Sequence, residues 1–372
     1  MFEDFKLQRV DSLRRQVGDY LREEIRRGKL PGGSKLPSTQ ALAEHWGTHA
    51  ANIHAAIRPL VKEGLLLRKP GVGTVVNTMV NTRLETIAIY MLADTWHPGN
   101  IFSRLVVGFI EQELNRRNIE CLVINENRVG AGYEQVKRLA DTRRLQGMIA
   151  PGVRDRAQLR DFFRLPVPFS VIGAGHFNNR LSYNLPEFAA QIVTAVQRQQ
   201  CRSVGILCSI PAYPHPKNSS EREEHSFYEL LFKLLADASI ETRPEWTVTV
   251  QYDNQCTPDT YGTFAYKGFR QIWASAQRPE ALFVGTDDLI AGTLLAMLKS
   301  KVTAPDDIKL VLNRNSELSI LCPLPCVMVE TSIAQMATSL VELVIDQFHG
   351  RPVTPAGMHY TLQEYPEGNI DF

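Results

Sequence analysis

Arg68 and Lys69 stand directly before Pro70-Gly71-Val72-Gly73-Thr74, between two short runs rich in leucine and valine. Gly71 and Gly73 lack a Cβ, so the chain there can turn sharply and approach another backbone closely. Cations at the base of such a tip suit phosphodiester oxygens. Upstream lie Ser38 and Gln40, and then His49, Asn52 and His54. Gln40 and Asn52 can bond two-pronged to an adenine edge, and either histidine can donate to a base or a phosphate. The same residues are open to a second reading, as an ordinary hairpin tip and a solvated helix face.

The elements that must hold these residues follow from periodicity. Leu13, Val17, Tyr20, Leu21 and Ile25 recur at helical spacing, predicting an amphipathic helix over 12–28, capped by Ser12 and ended by Gly28. After the turn-forming stretch KLPGGSKLPS, Ser38 caps a short helix over 38–46 that buries Leu42, Ala43 and Trp46, and Gly47 ends it. A third helix over 49–63 buries Ile53, Ile57 and Leu60 or Val61, and Gly64 closes it. Leu65–Arg68 and Thr74–Val76 make a hairpin. Two helices joined by a tight turn and followed by a hairpin outline a winged helix-turn-helix, with residues 68–74 as the wing.

The string Tyr20-LREE-Ile25-RRG, LPS at 36–38 with Leu42-Ala43, EGL at 63–65 and Gly71-Val-Gly73-Thr74 resembles the gluconate-repressor (GntR) type of winged-helix transcription factor over about 65 residues. That resemblance implies binding to double-stranded DNA as a homodimer on a palindromic operator. It assigns the contacts to Ser38, Gln40, His49, Asn52, His54, Arg68, Lys69, Gly71, Gly73 and Thr74. Gln40 stands where that family often has Arg, and His49-Ala50 where it often has Ser-Arg. Asn52 and His54 replace its usual Thr and Arg. The third helix is thus short of cations.

Residues 77–85 are polar and aperiodic and read as a linker between a head, 1–76, and a body, 86–372. In the body, strands at 86–90, 120–125, 147–151, 167–175, 203–209, 246–252, 280–288 and 309–313 alternate with helical stretches. One of these, 103–117, has Leu105, Val106, Phe109, Ile110 and Leu114 inward. Repeated β-α-β order predicts parallel sheets, and the length predicts two α/β lobes with a ligand cleft at the strand ends. RPEALFVGTDDLIAG and LPVPFSVIGAG are similar to effector domains of the lactose-repressor family and to periplasmic sugar-binding proteins. The fold class expected is therefore α/β, a winged helix-turn-helix followed by a two-lobed, type I periplasmic-binding-protein-like, doubly wound domain.

That second resemblance implies a sugar or sugar-derivative effector, a carbohydrate-utilisation operon as target, and repression as the usual outcome. The 103–117 helix would help to hold a dimer. Trp96, Phe102 and Tyr252 lie near strand ends, where an aromatic ring can stack on a sugar or simply fill core. Asp287 can contact ligand, cap the following helix, or both. Phe227 falls where the family has a ligand-gripping Arg, with Arg222 close by. Arg314 replaces the family's carboxylate. A cleft that gains a guanidinium there favours an anionic sugar. A neutral sugar, or a cleft that contacts a protein partner instead of a metabolite, stays open.

Charge is divided along the chain. Residues 1–80 hold 13 Lys and Arg against 8 Asp and Glu, whereas the remainder holds 28 against 32. A basic head on an acidic body fits a polyanionic partner for the head. The six cysteines are scattered apart from Cys322 and Cys326, so free thiols of a cytoplasmic protein are expected, without a metal. No apolar run reaches the ~20 residues of a membrane span. Phosphate-loop, dinucleotide, nucleophile-elbow and zinc-protease motifs are absent, so neither catalytic residues nor a cofactor are expected.

Overall fold

The computed structural model describes residues 13–26, 29–77, 84–92, 101–153, 156–173, 177–208, 227–249 and 258–369. The head comprises α1 (Leu13–Arg26), α2 (Thr39–His45), α3 (Ala50–Lys62), β1 (Leu66–Lys69) and β2 (Gly73–Val76). Val17, Leu21 and Ile25, one helical turn apart on α1, close over Leu42, Ile53, Ile57 and Leu60. Ser38 caps α2 by accepting from the Ala41 N–H at 3.1 Å. Gly47 (φ 60°) and Gly64 (φ 73°) end α2 and α3 in the left-handed region. The hairpin pairs Leu66 with Val76 and Lys69 with Gly73, one residue later than expected on β1 and one earlier on β2. Lys35 bridges to Val75, which adds a third stretch of backbone to the wing. The expected caps at Ser12 and Gly28 lie outside the described residues, as does most of the linker. Asn77, expected in the linker, is buried against the head, where its Nδ2 donates to the Gly64 carbonyl at 2.8 Å.

The described residues of the body form two six-stranded sheets. The first lobe runs β3 (Thr86–Leu92), α4 (Ile101–Arg116), β4 (Glu120–Glu126), α5 (Ala131–Asp141), β5 (Gly147–Ala150), α6 (Arg156–Phe162), β6 (Phe169–Ile172) and β7 (Arg180–Ser182). The second runs α7 (Leu185–Arg198), β8 (Val204–Cys208), α8 (Phe227–Asp237), β9 (Thr247–Thr249), α9 (Pro258–Trp273), β10 (Ala281–Gly285), α10 (Asp287–Ser300), β11 (Lys309–Asn315) and β12 (Cys326–Thr331). Then follow α11 (Ile333–Phe348), β13 (Ala356–Gly357) and β14 (Thr361–Tyr365). The sheet orders are β4-β3-β5-β6-β7-β13 and β9-β8-β10-β11-β12-β14. Both sheets place their first strand second, the doubly wound order. All pairs are parallel except β12 with β14. Strands β5, β6, β8 and β10 are buried at every position, which is why they read as nearly continuous apolar runs.

Among the described residues the chain crosses between lobes three times, from β7 to α7, from β12 to α11 and from β13 to β14. Helix α11 follows a strand of the second lobe yet packs on the first, against α4 and β5–β7. Ser170 Oγ on β6 donates to the α11 carbonyl of Leu340 at 2.8 Å, and Gln347 Nε2 donates to the Phe169 carbonyl at 2.8 Å. This packing turns α4 slightly from its expected setting. Val106, Val107, Ile110 and Leu114 are buried, while Leu105 and Phe109 lie half-buried at its margin. Among the described residues no helix is long and apolar enough to cross a membrane.

Candidate nucleic-acid interface and interlobe cleft

Helix α3 leaves one face open, carrying Ala50, His54 and Arg58 at four-residue spacing, with His49 at its N-cap. The wing lies alongside, and one Arg68 guanidinium nitrogen sits 3.0 Å from His54 Nε2. That contact ties helix and wing into one surface. Arg68, Lys69 and Lys35 are exposed along the wing, and Thr74 pairs with Arg68 across it. Gly71 (φ 75°) and Gly73 (φ 109°) occupy conformations that a side chain would strain, and the Lys35 Cε lies 3.5 Å from where a Cβ on Gly73 would stand.

Other expected contacts fall differently. Gln40 is exposed on α2, and Ser38 is exposed with its hydroxyl occupied by the cap. Asn52 is half-buried and its amide is engaged inside the head: Oδ1 accepts from Arg14 Nε at 3.3 Å and Nδ2 donates to Thr48 Oγ1 at 3.0 Å. A base edge would have to displace both partners. Two cations go unnamed in the sequence reading. Arg58 was within reach of it, one turn beyond His54 on the same face. Lys35 gave no local signal, because its place depends on the bridge to Val75.

In the body, the strand ends of the second lobe satisfy one another. The Asp287 carboxylate accepts from Asn315 N–H at 2.9 Å and Asn315 Nδ2 at 2.5 Å. Burial pushes its carboxyl up to about 7, against the pull of those two hydrogen bonds. Asp287 is the first residue of α10 rather than its cap, which is Thr286. It ties α10 to the end of β11. Glu317, which the sequence reading did not single out, accepts from Ser332 Oγ, Ile333 N–H and Ala334 N–H at 2.5, 2.8 and 3.2 Å. Burial alone would raise its carboxyl, but these donors together hold it below the ordinary value.

Two expected cleft residues are corrected. Arg314 is no unpaired cation. Its Nε donates to Glu330 at 2.8 Å and a terminal nitrogen donates to the Tyr365 hydroxyl at 2.6 Å, with the ion pair nearly buried between β11, β12 and β14. The register that sets Arg314 opposite Glu330 supplies the counter-charge, so the anionic-ligand argument loses its basis. Phe227 is core: only 4 % exposed, it stacks on Phe188 at 5.4 Å, and Phe188 packs in turn on Tyr360 and Phe283. Phe102 is half-buried against the body core at the start of α4. Trp96, Arg222 and Tyr252 lie outside the described residues.

Residues 13–76 match the family described as bacterial regulatory proteins, gntR family, and residues 193–361 match the periplasmic binding protein-like domain. The head is 39 % identical over 64 residues to the mannosyl-D-glycerate transport/metabolism system repressor MngR of Escherichia coli K12, covering 17 % of this chain and 27 % of that protein. It is 37 % identical over 67 residues to the HTH-type transcriptional regulator YisV of Bacillus subtilis, covering 18 % of this chain and 14 % of that one. The chain therefore spans about a quarter or less of the curated relatives it matches. Among solved structures, the transcriptional regulator CelR in complex with cellobiose aligns over 90 % of this chain and all of that one, with TM-score 0.57 and 13 % identity. The transcription regulator CcpA of Lactococcus lactis aligns over 78 % of this chain and all of that one, with TM-score 0.54 and 12 % identity. These relatives and fold neighbours are transcription regulators, not enzymes. The chain thus joins a gntR-type helix-turn-helix head to a periplasmic-binding-protein-like body of the fold seen in lactose-repressor-type regulators.

Proposed function

We propose that this chain is a cytoplasmic, ligand-responsive repressor of carbohydrate-utilisation genes, bound as a homodimer to a palindromic operator. The observation that carries the reading is the continuous surface of α3 and wing, held together by the His54–Arg68 contact, on a two-lobed body crossed three times. The head, 1–76, reads DNA through His49, His54 and Gln40, with Arg58, Arg68, Lys69 and Lys35 on phosphates and Gly71, Gly73 and Thr74 shaping the wing. Ser38 and Asn52 position this surface. The linker is 77–85 and the body 86–372. Exposed apolar side chains on both lobes suit a dimer: Ile101 and Val123 are 52 % and 42 % exposed, and Leu295 and Leu298 are 58 % and 75 % exposed.

The names of MngR and of the CelR–cellobiose complex support a carbohydrate effector. With Arg314 neutralised, a neutral sugar fits the second lobe better than a sugar acid. Trp96, Phe102, Tyr252, Arg222 and Asp287 remain the proposed contacts. A ligand that prefers one lobe angle changes head spacing and hence operator affinity. A second reading, a cleft that meets a protein partner, is favoured by the internal pairing of Arg314 and by Phe227 filling core where a ligand-gripping Arg would stand. Fluorescence anisotropy with duplexes taken from upstream of the chain's own gene tests both. We expect specific binding that neutral mono- or disaccharides shift by about tenfold or more. Failure to bind any duplex at low salt overturns the proposal, and binding indifferent to all sugars moves the weight to the protein-partner reading.

A further inference from the structure

A cavity of about 360 Å³ lies between β7 and two of the lobe crossings. Leu181 on β7, Thr331 and Ser332 at the β12–α11 crossing, and Gly357–His359 at the β13–β14 crossing all border it, and the first turns of α11 form a further wall. Its size falls within the ~300–1,000 Å³ usual for small-molecule pockets. We propose that this hinge cavity is a second ligand site, separate from the strand-end cleft, that takes a small neutral polyhydroxylated molecule.

The lining sets the ligand class. Among the described residues no Lys, Arg, Asp or Glu borders the cavity. Thr331, Gln335 and Ser339 line it with side chains that make no hydrogen bond to the described residues, so they can both donate and accept. Leu181, Met336 and Met358 supply apolar surface for the C–H faces of a polyol. The N-terminus of α11 would ordinarily attract an anion, but Glu317 already occupies the Ile333 and Ala334 N–H groups and Ser332 Oγ takes that of Gln335. An anion entering here would find those amides already taken. His359, the remaining polar ring at the rim, leans toward Glu187 at 3.5 Å. An occupant touching β7 of the first lobe and the β12–α11 and β13–β14 crossings binds one hinge angle better than another, so it shifts the lobe equilibrium without entering the cleft.

The test uses the full chain and saturation-transfer NMR with xylitol, myo-inositol and inorganic phosphate as probes. We expect at least one polyol to bind with a millimolar constant and phosphate not to compete. Ser339→Phe, which fills the cavity, should weaken that binding at least about tenfold, while Asp287→Asn in the cleft leaves it unchanged. Should Ser339→Phe lose its native circular dichroism, Gln335→Ala serves in its place, with a weakening of about fivefold expected from the lost hydrogen bond. Absence of binding by both polyols, displacement by phosphate, or full binding by the folded variant overturns the proposal. Because the readout involves no DNA, such a failure leaves the repressor reading untouched, and failure of DNA binding leaves this site untouched.

Discussion

Arg314 and Glu330 stand opposite each other on β11 and β12 with side chains only 10 % and 12 % exposed, and Tyr365 reaches Glu330 from β14 with its hydroxyl at 2.9 Å. In so dry a place each charge depends on the other. Removing one partner leaves an uncompensated ion and costs about 3–5 kcal/mol, whereas replacing both with apolar groups of similar volume is often close to neutral. Arg314→Met should therefore destabilise the chain by about that amount in urea unfolding, and Arg314→Met with Glu330→Leu should recover most of the loss. If Arg314 instead gripped a ligand from the cleft, Arg314→Met would leave the unfolding midpoint in place and abolish an effector response. The type of the residue was legible in the sequence and its partner was not. Glu330 is sixteen positions away, and only the register of two parallel strands brings it opposite.

At the scale of elements, α3 and the wing were legible because their signals are local. Ser38 caps within three residues, Gly47 and Gly64 adopt positive φ where the helices end, and the hairpin turns on Gly71 and Gly73. What escaped were couplings between elements, such as Arg14 of α1 holding Asn52 of α3 across 38 positions. The destination of α11 escaped too, since nothing in an amphipathic run says which lobe it will cover. The exposed α3 face gives a prediction that separates positioning from reading. Arg58→Ala should weaken binding to all duplexes to a similar degree and lower the slope of log affinity against log salt by about 0.9, as for one lost phosphate contact. His54→Ala should narrow the gap between operator and random duplex by about 1 kcal/mol or more, through loss of base contact and of the link to Arg68. An unchanged salt slope for Arg58→Ala, measured by anisotropy across a salt series, would place that cation away from the phosphates.

For the whole molecule the question is how two heads of the proposed homodimer would act together. A single head of this size offers few phosphate contacts. Two heads held on one body gain an effective local concentration that can raise affinity by about 10²–10⁴ without any new contact. In the proposed dimer the body would supply that link, and among the described residues its most exposed apolar surface on a helix is the outer face of α10, with Leu295 and Leu298 one turn apart. Neither residue belongs to a lobe core, so charging them leaves the fold intact. Leu295→Glu with Leu298→Glu should shift the sedimentation mass from dimer to monomer with an unchanged thermal transition at low protein concentration. Affinity for a two-half-site operator should then fall at least about a hundredfold, while affinity for one half-site should stay the same. An unchanged mass would move the interface to Ile101 and Val123 on the first lobe. Equal losses on one and two half-sites would mean that the heads bind independently, and lobe closure would then have no lever on operator affinity.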